Sequence, residues 1–275
     1  MSGMIQDPKN DLPKALLDDL LPTHGEAIDP HEMARRDQRK TLPKRFYTRA
    51  HVDLRDGAHA LLLDGKPAKT PGRKPLALPT QDAARLVADE WQAQAGQIDP
   101  ATMPVTRIVN SALDGVAHEI DAVRDEIVKY AGSDLVCYRA AEPEGLAQSQ
   151  ALLWDPVLDF AREDLGARLV LAQGILFVDQ PDHAIAAVRR AVEEVDGAIA
   201  LACLHVMTTL TGSALIALAV ARGQMSVEAA WAATHADEDF QIRIWGADSD
   251  AIARRQRRWT EMKSAADLLV AVRVG

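Results

Sequence analysis

Ionisable and aromatic side chains recur at helical spacing between Trp231 and Gly246. At about 100° per residue, Trp231, Glu238, Ile242 and Trp245 fall on one face of what the pattern predicts to be a single helix. A carboxylate between two tryptophans, on a face that otherwise resembles a protein core, is costly to bury alone. Glu238 is therefore expected to be paired within the protein, to bind a metal ion, or to bind a partner.

A metal site is the first chemistry that this segment permits. His235 lies three residues before Glu238 and four before Asp239, so either pair could reach one ion from a helix. Helical carboxylate sites usually take further ligands from other helices, such as a second Glu-x-x-His, and none is apparent in the sequence. A small helical metalloenzyme using His235, Glu238 and Asp239 is thus the alternative to a binding function.

Two other interpretations of Glu238 stay open on spacing alone. The first is a core ion pair with arginines that follow on the next predicted helix, namely Arg254, Arg255, Arg257 and Arg258. The second is an interface, because an exposed tryptophan beside a charge is typical of a partner-binding anchor. A tryptophan is nevertheless more often a core residue, which is also the prediction for Trp91 and Trp154.

Other sequence features argue against nucleotide binding and against a local hydrolase signature. Gly-x-Gly-x-x-Gly, Gly-x-x-x-x-Gly-Lys-Ser/Thr and Gly-x-Ser-x-Gly are all absent. Cys137 and Cys203 each lie inside an apolar run, which predicts small buried side chains rather than a disulfide or a zinc site. No catalytic residue and no cofactor is predicted.

Charge and hydropathy exclude two classes of partner. The net charge of −9 and the pI near 5.4 argue against a general nucleic-acid binder. The segment from Ala198 to Ala221 carries no formal charge, but Thr, Gly and Ser residues interrupt it, so no membrane insertion is predicted. Instead we expect two buried helices that meet near Thr211 and Gly212, with Ser213 capping the second and Gly223 ending it.

The elements that position these residues fall into three parts. Residues 1–40 are polar and charged and predict a mobile arm. Residues 41–143 predict an α/β domain, with hairpin turns at Asp56-Gly57 and Asp64-Gly65. Helices should begin at an N-cap on Thr80 and at Pro104, and a short apolar run, Leu135–Tyr138, is expected to return to the sheet.

Residues 144–275 predict a helical domain, with the boundary placed in Glu142-Pro-Glu-Gly145. Trp154-Asp155-Pro156 is expected to break or restart a helix, and Ser226 to cap the helix that leads into the Trp231 segment. The fold class is therefore α+β, a β-meander and helix domain followed by an all-α domain.

Several segments resemble the ATP12-type assembly chaperones of ATP synthase. The matching segments in the first half are Arg45-Phe-Tyr47, Lys69-Thr-Pro-Gly-Arg-Lys-Pro-Leu-Ala-Leu-Pro-Thr80, Glu90-Trp91-x-Ala-Gln94, Met103-Pro-x-Thr-Arg107 and Asn110-Ser-Ala112. Those in the second half are Asp134-Leu-Val-Cys-Tyr-Arg139, Trp154-Asp-Pro156, Asp237-Glu-Asp-Phe-Gln241 and Trp245-Gly246-x-Asp248. Each block is short, but their number and order make the resemblance specific.

The resemblance implies a non-enzymatic function. Members of this family bind the free α subunit of the F(1) catalytic sector and protect it until the β subunit replaces them. The family's important acidic residue corresponds to Glu238, and the implied partner-binding set is Asp237, Glu238, Phe240, Gln241, Trp245 and Asp248. Eukaryotic members are mitochondrial matrix proteins with a presequence. Residues 1–11 lack that pattern, so the chain is expected to be a bacterial, cytoplasmic member or a processed form.

Overall fold

The structure is a computed structural model that describes residues 42–174 and 177–273. The predicted arm of residues 1–40 lies outside the described residues. Contacts divide the chain into two compact units between Asp114 and Gly115. This division lies before the boundary expected at residues 143 and 144, because the helix Ile120–Gly132 packs against helices of the second unit.

The first unit is built on a small antiparallel sheet. Its strands are β1 (Ala50–Arg55), β2 (Ala58–Leu63), β3 (Lys66–Pro67) and β4 (Ala77–Leu78), and β2 pairs with the other three. The two predicted hairpin turns are confirmed. Asp56 and Asp64 have φ of 51° and 48° and each precedes a glycine at φ 81°, the left-handed pair that a tight type I′ turn requires.

Two helices complete the first unit. Helix α1 (Gln81–Ala93) lies on β1 and β2 and buries Trp91, and α2 (Pro104–Asp114) follows a 3-10 turn at Pro100–Thr102. Thr80 Oγ1 accepts a hydrogen bond from the Ala83 N–H at 3.2 Å, which confirms the predicted N-cap. Helix α2 begins at Pro104, as predicted, because proline fits the first helical turn.

The second unit is mostly helical. Its elements are a 3-10 turn (Val116–His118), α3 (Ile120–Gly132), a 3-10 turn (Leu135–Cys137), β5 (Tyr138–Arg139), α4 (Glu144–Glu163), β6 (Ala172–Gln173), α5 (Asp182–Glu193), α6 (Ala198–Thr211), α7 (Ala214–Ala221), α8 (Val227–Thr234), α9 (Ala236–Trp245) and α10 (Ser249–Arg273). A sheet region followed by mostly helices confirms the α+β fold class. Within the helical part, β5 and β6 form a short parallel pair of strands.

Helices α6 and α7 form the centre of the second unit. Gly212 ends α6 at φ 65°, Ser213 Oγ accepts from the Ile216 N–H at 3.0 Å, and Gly223 follows α7 at φ 70°. The predicted pair of buried helices and its caps are therefore confirmed. Across the described residues, no helix is both long and apolar enough to cross a membrane.

Two local predictions in this unit are wrong. Leu135–Cys137 is a 3-10 turn, because Asp134 caps it by accepting a hydrogen bond from the Val136 N–H at 3.3 Å. The strand that follows, β5, pairs with β6 instead of joining the N-terminal sheet. Helix α4 runs without a break through Pro156. Burial of Trp154, Val157 and other side chains on one face of α4 compensates for the missing proline N–H.

Candidate functional site

The segment from Trp231 to Trp245 forms two helices, so the predicted single helix is wrong. Helix α8 ends at Thr234 and α9 begins at Ala236, and His235 between them leaves the helical region with φ of −109° and ψ of 20°. The His235 N–H closes a tight turn onto the Ala232 carbonyl at 3.2 Å. Its ring packs on Trp231 at 4.1 Å between centroids, with Nδ1 2.8 Å from the Trp231 carbonyl oxygen. These contacts fix the break.

Helices α9 and α10 line a cleft of about 790 Å³, here called the α9–α10 cleft. Its aromatic lining includes Trp231 and Trp259, whose rings pack at 5.6 Å between centroids. Ile242 and Trp245 contribute from α9, and Ile252 contributes from α10. The predicted stripe of Trp231, Glu238, Ile242 and Trp245 therefore faces this one cleft despite the helix break.

The two tryptophans of the stripe have different environments. Trp231 is buried, with 9% of its surface exposed, and belongs to the core of the second unit. Trp245 is 84% exposed, and Ile252, which lines the same cleft from α10, is 54% exposed. Large apolar side chains exposed in one cleft are typical of interaction sites.

Glu238 extends from α9 with 62% of its side chain exposed. Its Oε2 lies 3.7 Å from Nε2 of His235, whose pKa is lowered mainly by burial, so this neighbour is neutral at pH 7. The arginines of α10 fold back as the ion-pair interpretation required, but they reach a different carboxylate. Arg255 binds Asp239 through two hydrogen bonds, one of them 3.1 Å between Nη2 and Oδ2.

The opposite face of α9 is attached to α4. Asp237 Oδ1 accepts a hydrogen bond at 2.7 Å from Nε2 of the buried Gln150. Phe240 packs so closely on Gly145 that a Cβ there would lie 3.3 Å from the ring. The Arg243 guanidinium lies 5.3 Å from the Phe240 ring centroid. Asp237 and Phe240 therefore hold the helix in place.

The structure thus separates the six predicted partner-binding residues into two groups. Glu238, Gln241, Trp245 and Asp248 line the α9–α10 cleft, whereas Asp237 and Phe240 contact α4. Asp248 has a structural contact as well, because its Oδ2 accepts from the Ala251 N–H at 3.2 Å at the start of α10.

The predicted metal ligands do not converge on one point. Asp239 is occupied by Arg255, and His235 directs Nδ1 at a backbone carbonyl. Within residues 42–174 and 177–273, no group of three or more His, Cys, Asp or Glu side chains could hold a metal ion. Cys137 and Cys203 are both buried, as predicted, and burial raises the pKa of the Cys137 thiol to about 12.

Comparison with known proteins identifies the family. A family model described as ATP12 chaperone protein matches residues 44–162. The crystal structure of Atu1473, a chaperone candidate from Agrobacterium tumefaciens, is 46% identical with a TM-score of 0.83, over 94% of this chain and 97% of that one. The crystal structure of Atp12 from Paracoccus denitrificans is 38% identical with a TM-score of 0.78, and the match covers 84% of this chain and 98% of the Paracoccus chain. The chain belongs to the ATP12 chaperone family.

A more distant family member is the Schizosaccharomyces pombe protein named atp12, mitochondrial. It is 22% identical over 220 residues, which cover 76% of this chain and 75% of that protein. The resemblance drawn from the sequence blocks is therefore confirmed, and with it the chaperone class. The family is one of ATP synthase assembly chaperones, as that resemblance implied.

Most blocks that carried the family resemblance make contacts inside one unit and stabilise that unit. Arg45 donates to the carbonyls of Tyr47 at 2.9 Å and Thr48 at 2.7 Å, and Tyr47 Oη donates to the Trp91 carbonyl at 2.6 Å. In the second unit, Trp154 Nε1 donates to the Ala233 carbonyl at 2.7 Å. The α9 block differs, because it holds Trp245 and Glu238 out at the surface.

Sequence reasoning missed two carboxylates of these family blocks, one of them buried and the other partly buried. Asp134 is fully buried and accepts the Leu215 N–H at 3.1 Å at the start of α7, and burial raises its pKa to about 6. Glu90 accepts the N–H groups of Val105 and Thr106, both at 2.7 Å, at the start of α2. Its pKa is also raised to about 6, again by burial. The signal available in the sequence was weak, because Asp134 directly precedes the apolar run Leu135–Cys137 and Glu90 directly precedes Trp91.

Proposed function

We propose that this chain is a non-enzymatic chaperone that binds the free α subunit of the F-type ATP synthase catalytic sector and protects it until the β subunit takes its place. The α9–α10 cleft is the proposed binding site. The observation that carries this proposal is Trp245, 84% exposed at a cleft that also contains the exposed Glu238.

The cleft has the composition of a binding surface. Protein interfaces place aromatic side chains at the centre and charged groups at the rim, and a few aromatic anchors supply most of the binding energy. Trp245 and Ile252 supply apolar surface, while Glu238 and Gln241 supply polar groups beside it. The contacts of Asp237 and Phe240 with α4 support the cleft from behind, so we propose that these two residues position α9.

Release of the client requires no chemical step. A client held by non-covalent contacts at one cleft can dissociate from it, and its release depends on how much free client remains. Association of the α subunit with β then removes free α subunit by mass action, so that the chaperone is displaced without nucleotide hydrolysis. This reasoning supports a binding protein without catalytic residues and without a cofactor.

The proposed compartment is the bacterial cytoplasm, where unassembled α subunits would be available. The higher identity to the Agrobacterium and Paracoccus proteins than to the yeast mitochondrial relative supports a bacterial member. Cell fractionation followed by immunoblotting checks this, because recovery of the protein with the periplasmic fraction would contradict it.

A pull-down of purified α subunit tests the function. Trp245→Ala should weaken binding about tenfold or more, the range of an aromatic interface anchor. Glu238→Lys should also weaken binding and leave the thermal melt largely unchanged, because the side chain is exposed.

The matched controls lie away from the cleft. Val270→Ala changes another exposed apolar residue of α10, 18 residues from Ile252 and therefore about 27 Å along the helix. Asp196→Lys reverses an exposed charge between α5 and α6. Both controls should bind the α subunit normally. Absence of binding by the unmodified protein would refute the function, and normal binding by Trp245→Ala would refute the site.

A further inference from the structure

Four charged side chains of the α9–α10 cleft form hydrogen bonds within the chain. Asp239 and Arg255 pair through two hydrogen bonds that join α9 to α10. Arg258 donates from Nη2 to the Leu210 carbonyl at 2.9 Å. Asp248 accepts the Ala251 N–H at the start of α10. Asp239 and Arg255 therefore neutralise each other, whereas Arg258 and Asp248 bond to backbone groups.

Two further charges of the cleft are arranged differently. Glu238 lines the cleft from α9, and its Oε2 lies 3.7 Å from Nε2 of the buried His235, whose pKa is lowered mainly by burial. Arg254 lines the cleft from α10 and is exposed, and no described carboxylate lies within the 4.0 Å of an ion pair with it. The two helices that line the cleft therefore present exposed charges of opposite sign, Glu238 from α9 and Arg254 from α10, with apolar surface from Ile242 and Trp245 also in the cleft.

We infer that the α-subunit segment that enters this cleft has apolar side chains with a Lys or Arg on the edge that meets Glu238 and an Asp or Glu on the edge that meets Arg254. This inference rests on the proposed function and specifies the chemistry of its partner. A cleft of about 790 Å³ is the size of a pocket for a short segment rather than for a folded domain. Opposite charges on the two helices fix the direction in which the segment lies, because the reversed orientation juxtaposes like charges.

Overlapping peptides that cover the α-subunit sequence provide the test. Their affinities for the full chain are measured by fluorescence anisotropy, and intact α subunit is measured in parallel. The peptides that bind should combine apolar residues with both charge signs. Glu238→Gln and Arg254→Gln should each weaken the tightest peptide roughly two- to fivefold, the range of partly exposed ion pairs, and added salt should reduce that difference. Asp196→Asn is the control variant and should bind as the unmodified chain does.

A charge exchange then identifies which edge meets which helix. Replacing the basic residue of the tightest peptide by Glu should weaken its binding to the unmodified chain, and Glu238→Lys should restore that binding. The inference is overturned if intact α subunit binds the chain but neither neutralisation matters, or if the exchange restores nothing. In that event the proposed function survives. If intact α subunit does not bind at all, the proposed function itself fails.

Discussion

Lowering the pH from 7 to 4.5 should strengthen the second unit through Asp134. This carboxyl is fully buried, and burial raises its pKa from an ordinary 3.8 to about 6 in the folded protein. Because the folded pKa lies above the unfolded one, the native state binds the proton more tightly. The stabilisation is therefore fully present below pH 3.8 and is lost as the pH rises through about 6.

The size of the effect follows from these two pKa values. Proton linkage with folded and unfolded values of about 6 and 3.8 gives about 2 kcal/mol more stability at pH 4.5 than at pH 7. Glu90 titrates in the same range and adds to the pH dependence of the unmodified chain. A substitution that removes only the Asp134 titration isolates its share, because the contribution of Glu90 cancels in the difference between the two proteins.

Asp134→Asn is the appropriate variant, since it keeps the shape and one acceptor oxygen. Urea unfolding of both proteins, followed by circular dichroism, should show a stability difference about 2 kcal/mol larger at pH 4.5 than at pH 7. The variant itself is expected to be less stable at both pH values, because its amide group cannot accept every bond that the carboxylate accepts. Asp196→Asn, at an exposed position, should show no such change with pH. A difference for Asp134→Asn that is the same at both pH values would refute the reasoning.

Three further predictions concern packing, capping and exposure. Trp154→Ala should lower the free energy of unfolding by about 3–5 kcal/mol, because it leaves a cavity in the core and removes the hydrogen bond to the Ala233 carbonyl. Denaturant titration measures this loss, and a loss below about 1 kcal/mol would contradict the prediction. Ser213→Ala should cost about 1 kcal/mol through loss of the cap on Ile216, measured in the same way, and Ser213→Gly should cost less. Iodide quenching of tryptophan emission should fall markedly in Trp245→Phe, since this ring is 84% exposed, and unchanged quenching would show that the ring is covered.

Local chemistry made the turns and helix caps predictable from the sequence. Thr80, Ser213 and Ser226 each accept a hydrogen bond from an N–H three residues later, so a short window of sequence contains both partners. The Asp-Gly turns at Asp56 and Asp64 are local in the same sense. The part of the stripe that lies in α9, namely Glu238, Ile242 and Trp245, was predictable because helical periodicity places these residues on one face.

Features that depend on distant partners were not predictable in this way. Asp134 caps α7 through Leu215, which lies 81 residues further along the chain. The helix break at His235 depends on how its ring packs against Trp231, which periodicity does not register. Spacing alone also could not show that Arg255 pairs with Asp239 rather than with Glu238, since the two carboxylates are neighbours in sequence. The relative placement of α9 and α10 determines which carboxylate Arg255 reaches.

Helix α9 owes little of its stability to burial. Ala236 is its one buried residue, and the rest of the helix is held by a few side-chain contacts, including those of Asp237, Asp239 and Phe240. An element with so little buried surface unfolds locally at a lower free energy than the helices of the core. Its amide protons should therefore exchange faster than those of α6 and α7. A client that packs on Trp245 would bury apolar surface of α9 that is exposed in the free chain. Slower amide exchange of α9 on binding would show that the client stabilises this helix.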